Sequence, residues 1–371
     1  MLEGNLYLVG GGDPLMMIER WWRFVTDLRQ TGLKTIRGNV VVDDSLFAPN
    51  DMQRGDFDGK PYRTYNVLPD AMLVNLQSSQ FTVRPADDRQ SIDVAVEPFP
   101  TNLVIENRIH AVTGRCVGRR RHFSIYHPPE DPAKVIVGGS VSVNCPPQTQ
   151  WQVVLTPPEY AYGTFRRLWE QQGGSLRGGY AHGTTPDTAK ELLSEDSLPL
   201  ADIIRVTNKY SSNVMARTLL LTLAAEKAST PATVADGKAV IEDWLKSKGL
   251  DFKELVIGNG SGLSRAARIS GDSVARLLRA AWSSRYAPEF LATLPLGGLD
   301  GTLRKRFESL ADPSRVRMKT GTLDGASSIA GYVTGQSGKT YIVVIMVNAR
   351  GAQNGAGEAI QRAVIDWVLD Q

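Results

Sequence analysis

Between Val74 and Val154 the chain changes character. Short apolar runs, Phe81-Thr82-Val83, Ile92-Asp93-Val94-Ala95-Val96, Val135-Ile136-Val137 and Val153-Val154, alternate there with proline, glycine and asparagine turns. Short runs bounded by turn residues build an all-β module. On either side the apolar residues recur at helical spacing instead. Leu15, Ile18, Trp22, Val25 and Leu28 share one face of a predicted helix, which Thr31-Gly32 closes. A strand is then expected from Ile36 to Val42, ending in Asp43-Asp44. Helical patterns return from Tyr160 to Gln172, Ser211 to Glu226, Val234 to Lys246 and Gly271 to Trp282. Strand patterns follow from Val316 to Lys319, Ser328 to Thr334 and Tyr341 to Asn348, and a terminal helix is expected from Glu358 to Leu369. Helices, an antiparallel meander and a helix that packs back onto it make an α+β layer arrangement.

Length and charge narrow the function. A chain of 371 residues exceeds one ordinary core and suits two or three domains. The net charge of +3 is too small for a nucleic-acid surface, which needs a concentrated basic face. The one basic cluster, Arg115, Arg119, Arg120 and Arg121, has no interleaved aromatic residues and reads as a solvated loop. No apolar run approaches the roughly 20 residues that span a bilayer. Met1-Leu2-Glu3-Gly4 carries none of the basic and apolar regions of a secretory signal. Cys116 and Cys145 can form one disulfide or be two buried thiols. His110, His122, His127 and His182 show no ligand spacing, so neither a metal nor any other cofactor is expected. Val9-Gly10-Gly11-Gly12-Asp13-Pro14 lacks the lysine and hydroxyl of a phosphate loop and reads as a tight strand-to-helix turn. Gly237 and Gly249 are expected to cap a helix.

Three short motifs remain. They are Ser211-Ser212-Asn213 before an amphipathic helix, Asn259-Gly260-Ser261-Gly262-Leu263-Ser264-Arg265, and Lys319-Thr320-Gly321-Thr322 closing a predicted strand. Each is weak alone; a serine at a helix start is commonly just an N-cap. In this order, however, Ser-x-Asn followed by Lys-Thr-Gly resembles the second and third parts of the signature of penicillin-recognising serine enzymes. Residue types and chemistry agree. A peptide ending in a free carboxylate needs a cation and a hydroxyl, which Lys319 and Thr320 supply. Gly321 leaves room for a peptide backbone against the strand. The Thr322 amide can meet a developing oxyanion. Asn213 can hold a substrate amide, and Ser211 can pass a proton to the leaving amine.

The resemblance extends along nearly the whole chain. Gly4 to Pro14, Gly38 to Phe47, Leu294 to Leu303, Gly260 to Arg265 and Lys319 to Thr322 all resemble segments of class C low-molecular-mass penicillin-binding proteins. These are the D-alanyl-D-alanine carboxypeptidase/endopeptidase family of penicillin-binding protein 4. The resemblance implies a serine β-lactamase/transpeptidase-like domain, an antiparallel sheet flanked by helices, with an inserted mostly-β module. Residues 1–4 would start the chain, 5–185 would form the inserted region with a nested β module at about 72–150, and 186–371 would belong to the penicillin-binding domain. The resemblance also implies pairing of Cys116 with Cys145, and hence a periplasmic location. Asp43 would meet the ammonium group, and Arg265 the carboxylate, of a diaminopimelate-like side chain. Peptidoglycan stem peptides and β-lactams are the implied ligands.

One part of the signature is missing. The family's nucleophile lies in Ser-x-x-Lys, and no lysine of these 371 residues has serine three positions before it. The resemblance places that motif upstream of Gly4, on a truncated segment. The expectation is a carboxypeptidase/endopeptidase whose 371 residues alone are inactive, with a non-catalytic stem-peptide-binding module as the alternative and a β-lactamase or esterase as a remoter one. Loss of part of the central sheet would expose an edge, so reduced stability or a homo-oligomer is expected.

Overall fold

In the computed structural model, which describes residues 1–49, 52–116 and 121–371, the chain divides into two units, Met1–Ser197 and Leu198–Gln371. Arg119 and Arg120 of the basic cluster lie outside the described residues. The architecture is α+β, with sheets flanked by helices and a mostly-β module in the first unit.

In the first unit, strand β1 (Leu6–Val9) is followed by helix α1 (Ile18–Gln30), which buries Trp21, Val25 and Leu28. The strand expected from Ile36 to Val42 is in fact two, β2 (Thr35–Ile36) and β3 (Val40–Asp43), which join different sheets. Between them the backbone still bonds to the start of the chain, through Gly38 N–H to the Gly4 carbonyl at 3.2 Å, and a Cβ on Gly38 would sit 2.4 Å from that oxygen, so only glycine fits there. Strand β3 lies in parallel beside β1, with Val9 opposite Asp43.

The mostly-β module of the first unit consists of two three-stranded sheets. Strand β4 (Ser78–Pro85) lies between β5 (Ile92–Glu97) and β9 (Gln148–Val153); β8 (Lys134–Ser142) lies between β6 (Val104–Val112) and β7 (Phe123–Tyr126). Phe81, Val83, Val135 and Val137 form its core, and a disulfide joins Cys116 to Cys145. The sequence pattern missed β6 because most of its side chains are exposed and do not alternate in polarity. Helix α2 (Pro157–Gln171) starts from a Thr156/Glu159 capping box and buries Tyr160, Phe165 and Trp169. Strands β10 (Ser175–Leu176) and β11 (Tyr180–His182) pair with β2 and β3.

The second unit opens with helices α3 (Leu200–Tyr210), α4 (Asn213–Lys227), α5 (Val234–Ser247), α6 (Gly271–Trp282) and α7 (Ala287–Thr293). Its antiparallel sheet runs β12 (Val316–Leu323), β13 (Ala326–Thr334) and β14 (Thr340–Asn348), and α8 (Ala356–Leu369) packs back onto it. Met318, Ile329, Val333, Ile365 and Val368 interlock between sheet and helix. Tyr332 ties the other face to α6 by donating to the Leu278 carbonyl at 2.6 Å. Two expectations change here. Lys319-Thr320-Gly321 lies within β12, which runs on to Leu323, because Thr322 and Leu323 pair with Ser327 and Ala326. Gly237 lies inside α5, where a Cβ would come 2.5 Å from the Leu220 carbonyl oxygen of α4; it allows close helix packing and caps nothing.

Candidate active site

Ser211 owes its position to the way α3 ends. It adopts the left-handed conformation (φ 54°), which stops the helix and turns the chain into α4. The N-cap of α4 is Ser212, whose hydroxyl accepts from the Met215 amide. The Ser211 hydroxyl therefore has no capping duty. Asn213 is the first residue of α4.

Lys319 meets Ser211 from the sheet. Its ammonium donates to Ser211 Oγ at 2.7 Å and to the Thr320 carbonyl at 2.9 Å. Burial of the amine lowers its pKa to about 8, since a charged group loses hydration there. Thr320 donates its hydroxyl proton to Thr302 Oγ1 at 2.9 Å. A Cβ on Gly321 would come 2.7 Å from Ser328 Oγ.

The edge of β12 is covered along half of its length. The segment before the strand pairs with it through Gly297 N–H to the Val316 carbonyl and Met318 N–H to the Pro295 carbonyl, both at 3.0 Å. Those bonds point outward from Val316 and Met318. Backbone groups alternate along a strand, so the N–H and C=O of Thr320 and Thr322 point outward too. Beyond Met318 no strand or bridge among the described residues covers this edge. It is left open next to the Lys319 ammonium.

A brace holds this arrangement. Lys209, one residue before the end of α3, donates to Asp300 Oδ2 at 2.6 Å and to the Leu294 carbonyl at 2.7 Å. Asp300 Oδ1 in turn accepts from the Leu296 amide. Gly301 (φ +53°) presses against the Lys209 carbonyl oxygen, which a Cβ would approach to 2.4 Å. The segment from Leu294 to Leu303 is thus tied to α3 on one side and to β12 on the other. In the sequence this segment carries only a family resemblance, and nothing there marks Lys209, Asp300 or Thr302 for a role. Their long-range pairing left no local signal.

The remaining expected residues are Arg265, in the second unit, and Asp43, in the first. Arg265 follows a turn fixed by Asn259, whose Oδ1 accepts from the Ser261 amide and hydroxyl. Its guanidinium donates to the Asp324 carbonyl at 3.0 Å, beside the turn between β12 and β13. Asp43 belongs to the first unit and is buried at the end of β3. Burial pushes its pKa up, but hydrogen bonds from Ser45 and Thr185 outweigh this and hold it below the ordinary value. Beside it, Asp44 pairs with His182 at 2.8 Å. Asp70 is raised to about 7 by burial and by the charge of Asp44. Among the described residues, one group of potential metal ligands draws together, Cys116, His122 and Cys145, and the disulfide occupies both of its sulfurs.

Comparison with known proteins decides the family. The model of the D-Ala-D-Ala carboxypeptidase 3 (S13) family matches residues 1–371. The chain belongs to this family. It is 30% identical to a D-alanyl-D-alanine carboxypeptidase of an Actinomadura species, over 97% of this chain and 68% of that protein. It is 23% identical to the D-alanyl-D-alanine carboxypeptidase DacB of Haemophilus influenzae, over 94% of this chain and 72% of that protein. The crystal structure of penicillin-binding protein 4 from Haemophilus influenzae superposes with a TM-score of 0.78 at 20% identity. That match covers 99% of this chain and 82% of the other, so the two share a fold.

Proposed function

We propose that the second unit carries the substrate-carboxylate wall of a serine-type D-Ala-D-Ala carboxypeptidase and DD-endopeptidase of peptidoglycan maturation. One observation carries the proposal: the Lys319 ammonium bridges to Ser211 Oγ at the point where the edge of β12 opens. A stem peptide can add to that edge as a strand, pairing with Thr320 and Thr322. Its terminal carboxylate then meets the Lys319 ammonium and the Thr320 hydroxyl. The outward Thr322 amide meets the carbonyl oxygen that becomes negative in the tetrahedral intermediate. Asn213 holds the substrate amide, and Ser211 relays a proton to the departing D-alanine amine, with Lys319 setting the direction of its hydroxyl. Arg265 is offered to the carboxylate of a diaminopimelate-type side chain, and Asp43, in the first unit, is a candidate partner for an ammonium group. The disulfide fits an oxidising, extracytoplasmic compartment. No helix among the described residues is long and apolar enough to cross a membrane.

Acylation additionally needs a serine activated by a base, and none of the lysines in this sequence completes a Ser-x-x-Lys motif. The 371 residues alone therefore bind stem peptides and β-lactams reversibly. This favours, for the isolated chain, the second reading of a non-catalytic stem-peptide module. Incubation with a fluorescent penicillin separates the outcomes. Saturable binding of a D-Ala-D-Ala peptide without a covalent penicillin adduct is expected; an adduct on the isolated chain would show that a nucleophile lies within it.

A further inference from the structure

Thr302 lies outside all three sequence motifs, yet its hydroxyl oxygen is 2.9 Å from that of Thr320. We propose that Thr302 is a positioning residue for the substrate carboxylate, setting the direction of the Thr320 proton so that Thr302, Thr320 and Lys319 act as one anion cradle. The inference rests on the function proposed above.

A threonine hydroxyl has one proton to give and two lone pairs to receive with. Thr320 gives its proton to Thr302 in the arrangement seen here. To meet a carboxylate, that proton must swing away, and the Thr320 oxygen is then free to accept. The Thr302 hydroxyl can rotate to supply that donor without any backbone movement. The chain Thr302 to Thr320 to carboxylate then runs in one direction, and each donor polarises the next. Lys319 supplies the charge from the other side, its ammonium already bonded to the Thr320 carbonyl.

The backbone beneath Thr302 is fixed for this purpose. Leu303, its neighbour, is fully buried in the core of the second unit. Gly301 on its other side presses against the Lys209 carbonyl, and Asp300 is ion-paired with Lys209. The Thr302 side chain itself is exposed, so its methyl and hydroxyl add little to the core. A residue whose backbone is clamped and whose side chain packs against little is best explained by what its hydroxyl bonds to.

The test uses the 371-residue chain and two probes, a stem peptide ending in D-Ala-D-Ala and the same peptide with a C-terminal amide. Dissociation constants are measured by NMR titration for the wild type, Thr302→Val and Thr302→Ser, with a thermal melt of each. The wild type should prefer the free carboxylate. Thr302→Val should cut that preference about fivefold, the worth of one ordinary hydrogen bond, and Thr302→Ser should restore it. Amide-peptide affinity and the melting temperature should not move. Full preference in Thr302→Val, failure of Thr302→Ser to rescue, or a lowered melting temperature would each overturn the role of Thr302. A wild type that does not distinguish the two peptides would sink the proposed function itself, and this inference with it.

Discussion

Lys319 reaches across the second unit to donate a 2.7 Å hydrogen bond to Ser211 Oγ, although the two are 108 positions apart. No carboxylate among the described residues pairs with this amine. Burial therefore acts alone on it and lowers its pKa to about 8. Between about 8 and the ordinary lysine value the folded chain holds fewer protons than the unfolded one, so this group makes stability rise with pH there. Ligand binding runs the opposite way, because a carboxylate needs the charged amine. Affinity for a D-Ala-D-Ala peptide should hold from pH 6 to 7 and fall roughly tenfold per pH unit well above 8. Lys319→Ala should lose both the affinity and the pH dependence. A flat profile up to pH 9.5 in the wild type would contradict the ammonium's role.

Asp70 gives a second pH dependence, in the first unit. Burial and the neighbouring charge of Asp44 raise its carboxyl to about 7, and Asp44 is shared with His182. A raised carboxyl keeps its proton in the folded chain after the unfolded chain has lost it. Stability from this group is therefore complete below about 4 and is lost as pH rises through 7. Asp70→Asn keeps the shape without the titration. Its melting temperature should exceed the wild type's slightly at pH 5 and by clearly more at pH 8. Equal melting temperatures at both pH values would remove the Asp44–Asp70 repulsion as a cause.

What could be read from the sequence depended on how local each constraint is. The meeting of Ser211 with Lys319 could be anticipated because the family resemblance prescribes Ser-x-Asn and Lys-Thr-Gly in a fixed order. Helix α6 was legible to the residue, since Ser270 caps it and its apolar spacing is regular. The brace was not. Lys209 and Asp300 are 91 positions apart, and an ion pair between common residue types leaves no mark on either segment. Nor was the need for glycine at position 38, which is explained only by the Gly4 backbone that passes over it. The left-handed turn at Ser211, which distinguishes it from the capping Ser212, is likewise invisible in a pair of adjacent serines.

The Cys116–Cys145 disulfide closes a loop with a sequence separation of 29 in the β module. Restricting the unfolded chain by a loop of that size is worth about 3–4 kcal/mol in the entropy model. The double variant Cys116→Ser/Cys145→Ser should therefore unfold its β module at markedly lower urea than the oxidised wild type. Reduction of the wild type should reproduce the shift. Identical urea midpoints for the oxidised wild type and the variant would show that the bridge adds nothing to the folded module.

Strand β14 is an unprotected edge. Its nine residues, Thr340 to Asn348, include neither a charge nor a proline, and Ile342 and Met346 are exposed. Among the described residues nothing pairs with its outer side. Such an edge favours pairing with a second copy. Sedimentation velocity should show association of the 371-residue chain that rises with concentration, and Met346→Lys should weaken it. A monomer for the wild type across that range would exclude edge pairing.

The brace makes the most demanding prediction, because it separates position from charge. Lys209 is only 11% exposed and bonds both Asp300 and the Leu294 carbonyl. Lys209→Met keeps the packing of the stem but loses both bonds, at a cost of about 1–3 kcal/mol. If the pair holds Thr302 in place beside Thr320, carboxylate preference must fall along with stability. Combining Lys209→Met with Thr302→Val then tests the connection. With Thr302 already silent, the second substitution should remove little further preference while still lowering the melting temperature in full. Additive losses of preference would mean that Lys209 and Thr302 act separately, and that the contact between Gly301 and the end of α3 is packing alone.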